Sequence, residues 1–158
     1  MTVHSSSDTL TTDTLATDTL ATEMLAVGAA ARRAARELRQ ASGEQKTRAL
    51  NAAAAAIRAR KTEILAANQA DIEAARAADM PAPMIDRLAL NDARVEAMAQ
   101  GVEVVAALPD PVGRELARWT RPNGLDIARV STPIGVIGII YESRPNVTAD
   151  AGALTLKS

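Results

Sequence analysis

The sequence lacks cysteine entirely and contains very few aromatic side chains. Among its 158 residues there is no Cys and no Phe, and there is only one Trp, one Tyr and one His. The absence of Cys excludes disulfide bonds, thiolate metal sites and a cysteine nucleophile within these residues. The single histidine, His4, lies in a Ser/Thr-rich segment and has no partner for binding a metal ion. The sequence therefore predicts no metal site.

The chain also lacks an excess of positive charge and a long apolar run. Its formal net charge is −1, whereas a nucleic-acid interface requires clustered positive charge. The four arginines in the local basic run at 32–39 are interpreted as a solvated helix face. No apolar run reaches the ~18–20 residues needed to span a membrane, and the N-terminus does not have the pattern of a secretory signal. We therefore expect a cytoplasmic protein that binds neither nucleic acid nor membrane.

The first 113 residues contain helical patterning preceded by a repetitive tail. Residues 1–22 repeat Asp and Leu with a period of five, which matches neither a helix nor a strand, and we predict that they are disordered. Residues 23–113 are predicted to form a helical segment, with a first helix over 23–41. Asn91 is predicted to cap the last helix of this segment.

The middle of the helical segment has one clear start signal and one open question. Ser42 and Gln45 are spaced as a capping box, in which each side chain bonds the backbone of the other residue. No Gly or Pro interrupts 44–80, so this stretch is one long helix or two helices with a break near Lys61. Pro81 indicates where it ends.

Two strands are predicted beyond the Pro-rich sequence at 108–113. Glu115–Thr120 and Leu125–Val130 flank Asn123-Gly124, a dipeptide that favours a type I′ turn, so residues 114–130 are predicted to form a β-hairpin. An apolar run, Ile134–Tyr141, follows the hairpin and is rich in β-branched residues. Such a run is typical of a strand buried in a parallel sheet covered by helices.

The fold class predicted from these elements is α/β, with an incomplete sheet domain at the end. A helix is predicted to begin near Thr148, so residues 131–158 supply one strand, one turn and the first turns of one helix. A parallel strand needs a neighbour, and the returning strand would require residues beyond Ser158. We therefore expect that the chain is cut off inside a structural unit.

The turn after the apolar run, Tyr-Glu-Ser-Arg-Pro-Asn at 141–146, concentrates hydrogen-bonding groups where α/β proteins bind ligands. Arg144 can hold a phosphate or a carboxylate through two parallel hydrogen bonds. Asn146 offers an amide that could donate to a developing oxyanion, and the start of the following helix adds backbone N–H groups suited to an anion. The alternative is that these polar residues only stabilise the turn.

The same residues carry a family resemblance. The segment TPIGVIGIIYESRPNVTADAGALTLKS at 132–158 resembles the signature region of the glutamate-5-semialdehyde dehydrogenases, also called gamma-glutamyl phosphate reductases, in the aldehyde dehydrogenase superfamily. The resemblance continues backwards through WTRPNGLDIARVSTP, LPDPVG, IDRLALNDARVEAMAQGV and ILAANQADIEAA. It covers about residues 24–158 and implies that 131–158 begins a dinucleotide-binding domain that is truncated here.

The resemblance implies an activity, a cofactor and site residues. The activity is the NADPH-dependent reduction of L-glutamyl 5-phosphate to L-glutamate 5-semialdehyde and phosphate in proline biosynthesis. By resemblance, Asn146 is the candidate oxyanion donor. The candidate residues near the cofactor and the substrate phosphate are Tyr141, Glu142, Ser143 and Arg144. The catalytic Cys of the family would lie beyond residue 158, so we expect no reductase activity from this chain alone.

The resemblance also implies partners and leaves alternatives open. It implies a homo-oligomer of the full-length enzyme, with contacts through the hairpin, and an association with glutamate 5-kinase. One alternative is a different acyl-reducing aldehyde dehydrogenase, although the turn at 141–146 argues against it. Another is a non-catalytic truncated paralogue that binds an intact subunit. NADPH cannot be separated from NADH by the residues present.

Overall fold

The computed structural model describes residues 7–142 and 144–158, which divide into two compact units at 40/41. The first unit contains helix α1 (Ser7–Leu38). The sequence predicted a disordered tail over 1–22, and the structure differs from that prediction from Ser7 onward; residues 1–6 lie outside the described residues. Helical hydrogen bonds join residues four apart and need no constant apolar face, and the frequent Ala and Leu residues favour helix.

The second unit contains five helices and one β-hairpin among its described residues. Its elements in chain order are α2 (Gly43–Ala59), α3 (Lys61–Ala77), α4 (Ala82–Leu88), α5 (Asp92–Ala107), β1 (Glu115–Thr120), β2 (Asp126–Val130) and α6 (Asn146–Lys157). The stretch after residue 43 is therefore two helices, which answers the question that the sequence left open. The short helix α4 was not predicted, because Pro81 and Pro83 indicate a break, yet Pro81 precedes the helix and Pro83 lies in its first turn, where Pro is tolerated.

Side chains cap two of these helices as the sequence predicted. The Ser42 hydroxyl accepts a hydrogen bond from the Gln45 backbone N–H at 3.2 Å, and the Ser42 N–H donates to Gln45 Oε1 at 2.8 Å. This reciprocal pair is a capping box at the start of α2. Asn91 Oδ1 accepts from the Arg94 N–H at 2.8 Å and caps α5. Both caps satisfy N–H groups that have no partner within the helix.

The core of the second unit lies where α2, α5 and α6 pack together. These helices supply its buried apolar residues, namely Leu50, Ala54, Ala99, Val102, Ala106 and Ala153. Most of these side chains are small, so the helix backbones can approach closely, and each residue buries little apolar area. Helix α5 packs against both α2 and α6, and this packing brings the start of α6 close to α5.

Two buried lysines join the ends of the same three helices, in what we call the lysine junction (Lys46, Asp110 and Lys157). Lys46 Nζ donates to Asp110 Oδ1 at 3.2 Å and to the Lys157 carbonyl oxygen at 3.3 Å. Lys157 Nζ donates to Thr47 Oγ1 at 3.0 Å and to the Ala106 carbonyl oxygen at 2.9 Å. The two lysine residues are only 3 % and 5 % exposed. A buried ammonium requires such partners, so the junction fixes α6 against α2 and the end of α5.

The hairpin has the predicted strands but a different turn. Strands β1 and β2 pair antiparallel, with Trp119 opposite Ile127. The Gly124 N–H donates to the Arg121 carbonyl and the Arg121 N–H donates to the Leu125 carbonyl, both at 2.9 Å. Gly124 is in the left-handed region at φ +83°, whereas Asn123 is not, so the predicted type I′ turn is wrong. The proline at 122 fixes a negative φ and favours a three-residue loop in which only Gly124 needs positive φ.

The apolar run at 134–141 does not form the predicted strand. The described residues between β2 and α6 carry no strand assignment, and Ile134 and Ile140 are 91 % and 103 % exposed. A parallel strand is stable only when a neighbour pairs with its backbone, and the described residues supply none beside this run. No helix in the described part of the chain is long and apolar enough to cross a membrane.

Helix α6 begins at Asn146, two residues before the position predicted from Thr148. Pro145 precedes it with φ −61° and ψ −30°, angles that already fit the first turn of a helix, and no side chain caps this end. The Thr148 hydroxyl is hydrogen-bonded instead to the Tyr141 hydroxyl at 2.6 Å. This bond joins α6 to the extended segment that leads into it.

Candidate functional site

The turn at 141–146 brings some of the predicted site residues together and leaves others apart. Tyr141 is exposed, and its hydroxyl bonds Thr148 on α6. Glu142 is exposed, and Ser143 lies outside the described residues. Arg144 lies directly before Pro145 and reaches a cavity at the start of α6, together with Asn146. The structure therefore groups Arg144 with Asn146 rather than with Tyr141.

The cavity, which we call the arginine cavity, has a volume of about 360 Å³ and lies between the α4–α5 connection and the start of α6. Arg87, Arg94, Arg144, Asn146 and Asp150 supply its polar lining. Three positive side chains and one carboxylate leave a formal excess of two positive charges. The first turn of α6 also presents backbone N–H groups there, because no side chain caps this helix end.

Sequence reasoning missed Arg87 and Arg94 as members of this site. Arg87 is in the last turn of α4 and Arg94 in the first turn of α5, about fifty residues before Arg144. They meet it only because α5 packs against α6. The sequence IDRLALNDAR contains both arginines, but no local pattern shows that a distant turn packs against them. Only the tertiary packing could have identified them.

Arg94 has a different role from the other two arginines. Its Nη1 donates to the backbone carbonyls of Asp86 and Ala89, and its Nη2 lies 3.4 Å from Asp86 Oδ1. These bonds tie the end of α4 to the start of α5. Arg87 and Arg144, by contrast, make no side-chain hydrogen bond or ion pair with the described residues. Their guanidinium groups are therefore available to an anion.

Asn146 is partly engaged within α6. Its Nδ2 donates to Asp150 Oδ2 at 2.9 Å, one turn further along the helix. An amide nitrogen carries two hydrogens, so one donor is used by Asp150 and one is free. The bond uses Asp150 Oδ2, and the carboxylate keeps its negative charge in the lining of the cavity. Asn146 is exposed, as expected for a group that meets a ligand.

Comparison with known proteins gives one consistent result. The chain is 63% identical over 132 residues to the gamma-glutamyl phosphate reductase of Caulobacter sp. (strain K31), a match that covers 84% of this chain and 32% of that protein. The corresponding enzyme of Paramagnetospirillum magneticum is 62% identical over the same length. The chain is homologous to part of gamma-glutamyl phosphate reductase. It spans about a third of the length of these relatives, and the family resemblance expected from the sequence is confirmed.

Solved structures of gamma-glutamyl phosphate reductases share the fold. The crystal structure of the Thermotoga maritima enzyme matches with a TM-score of 0.78 at 47% identity, over 80% of this chain and 31% of that one. The Saccharomyces cerevisiae enzyme matches with a TM-score of 0.77 at 35% identity, over 81% of this chain and 33% of that one. The predicted α/β class, in an incomplete form, is confirmed. No protein-family model matches the sequence.

Proposed function

We propose that this chain forms part of an enzyme that reduces L-glutamyl 5-phosphate to L-glutamate 5-semialdehyde and phosphate, with NADPH as the reductant. The single observation that carries this proposal is the 63% identity to a gamma-glutamyl phosphate reductase over 132 residues. The reaction is a step of proline biosynthesis, and a cytoplasmic location is part of the proposal. The acyl-phosphate substrate is an anion at both ends, which fits the positive charge of the arginine cavity.

The chain can supply binding and oxyanion groups but not the nucleophile. Acyl transfer through an enzyme thiol needs a Cys, and the sequence has none. A nicotinamide cofactor would supply the hydride. The residues proposed to lie near this cofactor and near the substrate phosphate are Tyr141, Glu142, Ser143 and Arg144, and the guanidinium of Arg144 suits a phosphate group. We propose that the 158 residues alone do not reduce the substrate.

A chimera tests this function. The matching third of the Caulobacter sp. reductase is replaced by this chain, and NADPH oxidation with L-glutamyl 5-phosphate is followed by absorbance. We expect the chimera to be active and the 158-residue chain to be inactive under the same conditions. A folded chimera without activity would contradict the proposal, as would turnover by the 158-residue chain itself. Parallel assays with NADH and NADPH decide the cofactor.

Asn146 is proposed as the oxyanion donor within this chimera. Removing such a donor lowers kcat by about 10²-fold or more, so Asn146→Ala should reduce kcat to that extent with little change in KM. Asn51→Ala, at an exposed position of α2, is the matched control and should leave both constants unchanged. A change confined to KM would assign Asn146 to substrate binding instead.

A second proposed function is subunit association through the hairpin. Trp119, Leu116 and Leu125 on or beside the hairpin are 42 %, 46 % and 57 % exposed, which favours a protein contact. Size-exclusion chromatography of the chain mixed with an intact reductase tests this. A defined hetero-oligomer supports a non-catalytic partner role, and separate elution contradicts it.

Association with glutamate 5-kinase is tested by the same method with the kinase in place of the reductase.

A further inference from the structure

We infer that the arginine cavity binds an oxyanion of the substrate, either a carboxylate or a phosphate, between Arg87 and Arg144. The inference rests on the proposed function for the identity of the substrate, but the anion site itself rests on geometry. Both arginines line one cavity of about 360 Å³ and lack an acidic partner among the described residues. The two groups come from α4 and from the turn before α6.

Arg87 and Arg144 are the cationic side chains of the cavity that have no partner among the described residues, so we assign the anion to them. Arg94 is held by the backbone at the end of α4 and is balanced by Asp86 at 3.4 Å. The Asp150 carboxylate accepts from Asn146 Nδ2 at 2.9 Å. With Asp150 counted, the charged lining of the cavity still carries a formal excess of two positive charges, which favours an anion there. A planar guanidinium matches the two oxygens of a carboxylate or phosphate better than it matches water.

The surrounding elements hold the cavity in a preformed shape. The bonds from Arg94 tie the end of α4, which carries Arg87, to the start of α5. The lysine junction fixes the far end of α6, and Pro145 limits the backbone beside Arg144. A site whose groups are already positioned loses less conformational entropy when the ligand binds. The volume is also in the range of small-molecule sites, which begins at about 300 Å³.

Ligand titration of the 158-residue chain tests the site directly. Backbone amide shifts are followed by nuclear magnetic resonance while inorganic phosphate or L-glutamate is added. We expect saturable shifts at the start of α6 and at the α4–α5 connection, and at least about tenfold weaker binding in Arg87→Gln and Arg144→Gln. Arg121→Gln, an exposed arginine in the hairpin turn, is the matched control and should bind as the unchanged chain does. Equal binding by all variants, or no saturable shift, would overturn the inference.

Kinetics of the active chimera in the reverse direction identify which oxyanion is bound. There the aldehyde is oxidised, NADP⁺ takes the hydride, and a phosphate oxygen forms the new bond to the acyl carbon. The semialdehyde carries the carboxylate and phosphate is a separate substrate, so the two KM values can be measured independently. A rise of about tenfold in the semialdehyde KM of Arg87→Gln or Arg144→Gln assigns the carboxylate. The same rise in the phosphate KM assigns the phosphate, and no rise in either contradicts the inference.

The two experiments separate the inference from the proposed function. If every chimera is inactive, including the Arg121→Gln control, the proposed function fails while the titration still decides whether the cavity binds an anion. If the chimera is active and the titration shows no site, the anion inference fails and the proposed function stands. Binding in the titration together with a changed KM supports both.

Discussion

Replacing Asp110 by Asn should destabilise the second unit by leaving the buried ammonium group of Lys46 without its carboxylate. Lys46 Nζ lies 3.2 Å from Asp110 Oδ2, and the two side chains are 2% and 22% exposed. At this distance two unit charges attract by about 5 kcal/mol at an effective dielectric constant of about 20. Much of that attraction offsets the cost of removing both charges from water.

The net change in the free energy of unfolding depends on the hydrogen-bond partners that remain after the substitution. Breaking a buried ion pair by neutralising one side costs about 3–5 kcal/mol. Asp110 is partly exposed, and Asn keeps an oxygen that can accept from Lys46 and from the Val112 N–H. We therefore expect Asp110→Asn to lower the free energy of unfolding by about 2–3 kcal/mol. Urea unfolding followed by far-ultraviolet circular dichroism measures this loss.

A double-mutant cycle shows whether the loss comes from the charge pair. Lys46→Met replaces the buried ammonium by an apolar side chain of similar length, so Asp110→Asn should cost less in that background. We expect the double variant to lose less unfolding free energy than the sum of the two single-variant losses, by at least about 1 kcal/mol. Additive losses within about 0.5 kcal/mol would refute the coupling between the two residues.

The stability that the Asp110 carboxylate contributes should also depend on pH. Burial alone would raise the pKa of Asp110, but the Val112 N–H and the ammonium groups of Lys46 and Lys157 together hold it below its ordinary value. A lowered carboxyl pKa stabilises the fold above the unfolded value of about 4, and that contribution is lost as the pH falls through the folded pKa. The stability difference between the unchanged chain and Asp110→Asn should therefore shrink below about pH 4.

Three further substitutions test the packing and the caps, each by urea unfolding. Asn68 is 5 % exposed, donates to the Leu88 carbonyl and accepts from the Leu90 N–H, so Asn68→Ala should cost about 2–4 kcal/mol by leaving two backbone groups unpaired. Asn91→Ala should cost about 1 kcal/mol by removing the α5 cap, and a neutral result would mean that solvent replaces it. Leu50→Ala should cost about 2–5 kcal/mol because its site is 2 % exposed, and a loss below 1 kcal/mol would show a poorly packed core.

Local patterns in the sequence were sufficient to predict most helices and strands of the second unit. The caps at Ser42 and Asn91 and the two hairpin strands depend on residues close together along the chain. The structure has the caps and β1 at the predicted positions, and β2 begins at Asp126, one residue later than predicted. The type I′ turn predicted at Asn123-Gly124 is wrong because Pro122 fixes a negative φ and favours a loop in which only Gly124 has a positive φ. The helix α4 was missed because prolines indicate both the ends and the first turns of helices.

Features that depend on distant residues could not be predicted from the sequence. The lysine junction joins Lys46 and Lys157 across 111 positions, and each lysine alone resembles a solvated surface residue. The arginine cavity also joins residues that are distant along the chain, since Arg87 and Arg144 come together only through the packing of α5 on α6. The apolar run at 134–141 has the composition of a strand, but the described residues give it no neighbour, and pairing is decided by other segments.

That run has a consequence for how the 158-residue chain behaves in solution. Residues 134–141 are rich in β-branched side chains, with Ile134 and Ile140 exposed and no backbone pairing to the described residues. The run's free N–H and C=O groups on both sides can accept a strand from another molecule, and no charged residue interrupts the run. We expect concentration-dependent intermolecular sheets that nucleate here, which thioflavin fluorescence would detect. Ile137→Lys should suppress these sheets without affecting the helical core, because a charged residue within an apolar run opposes pairing between molecules.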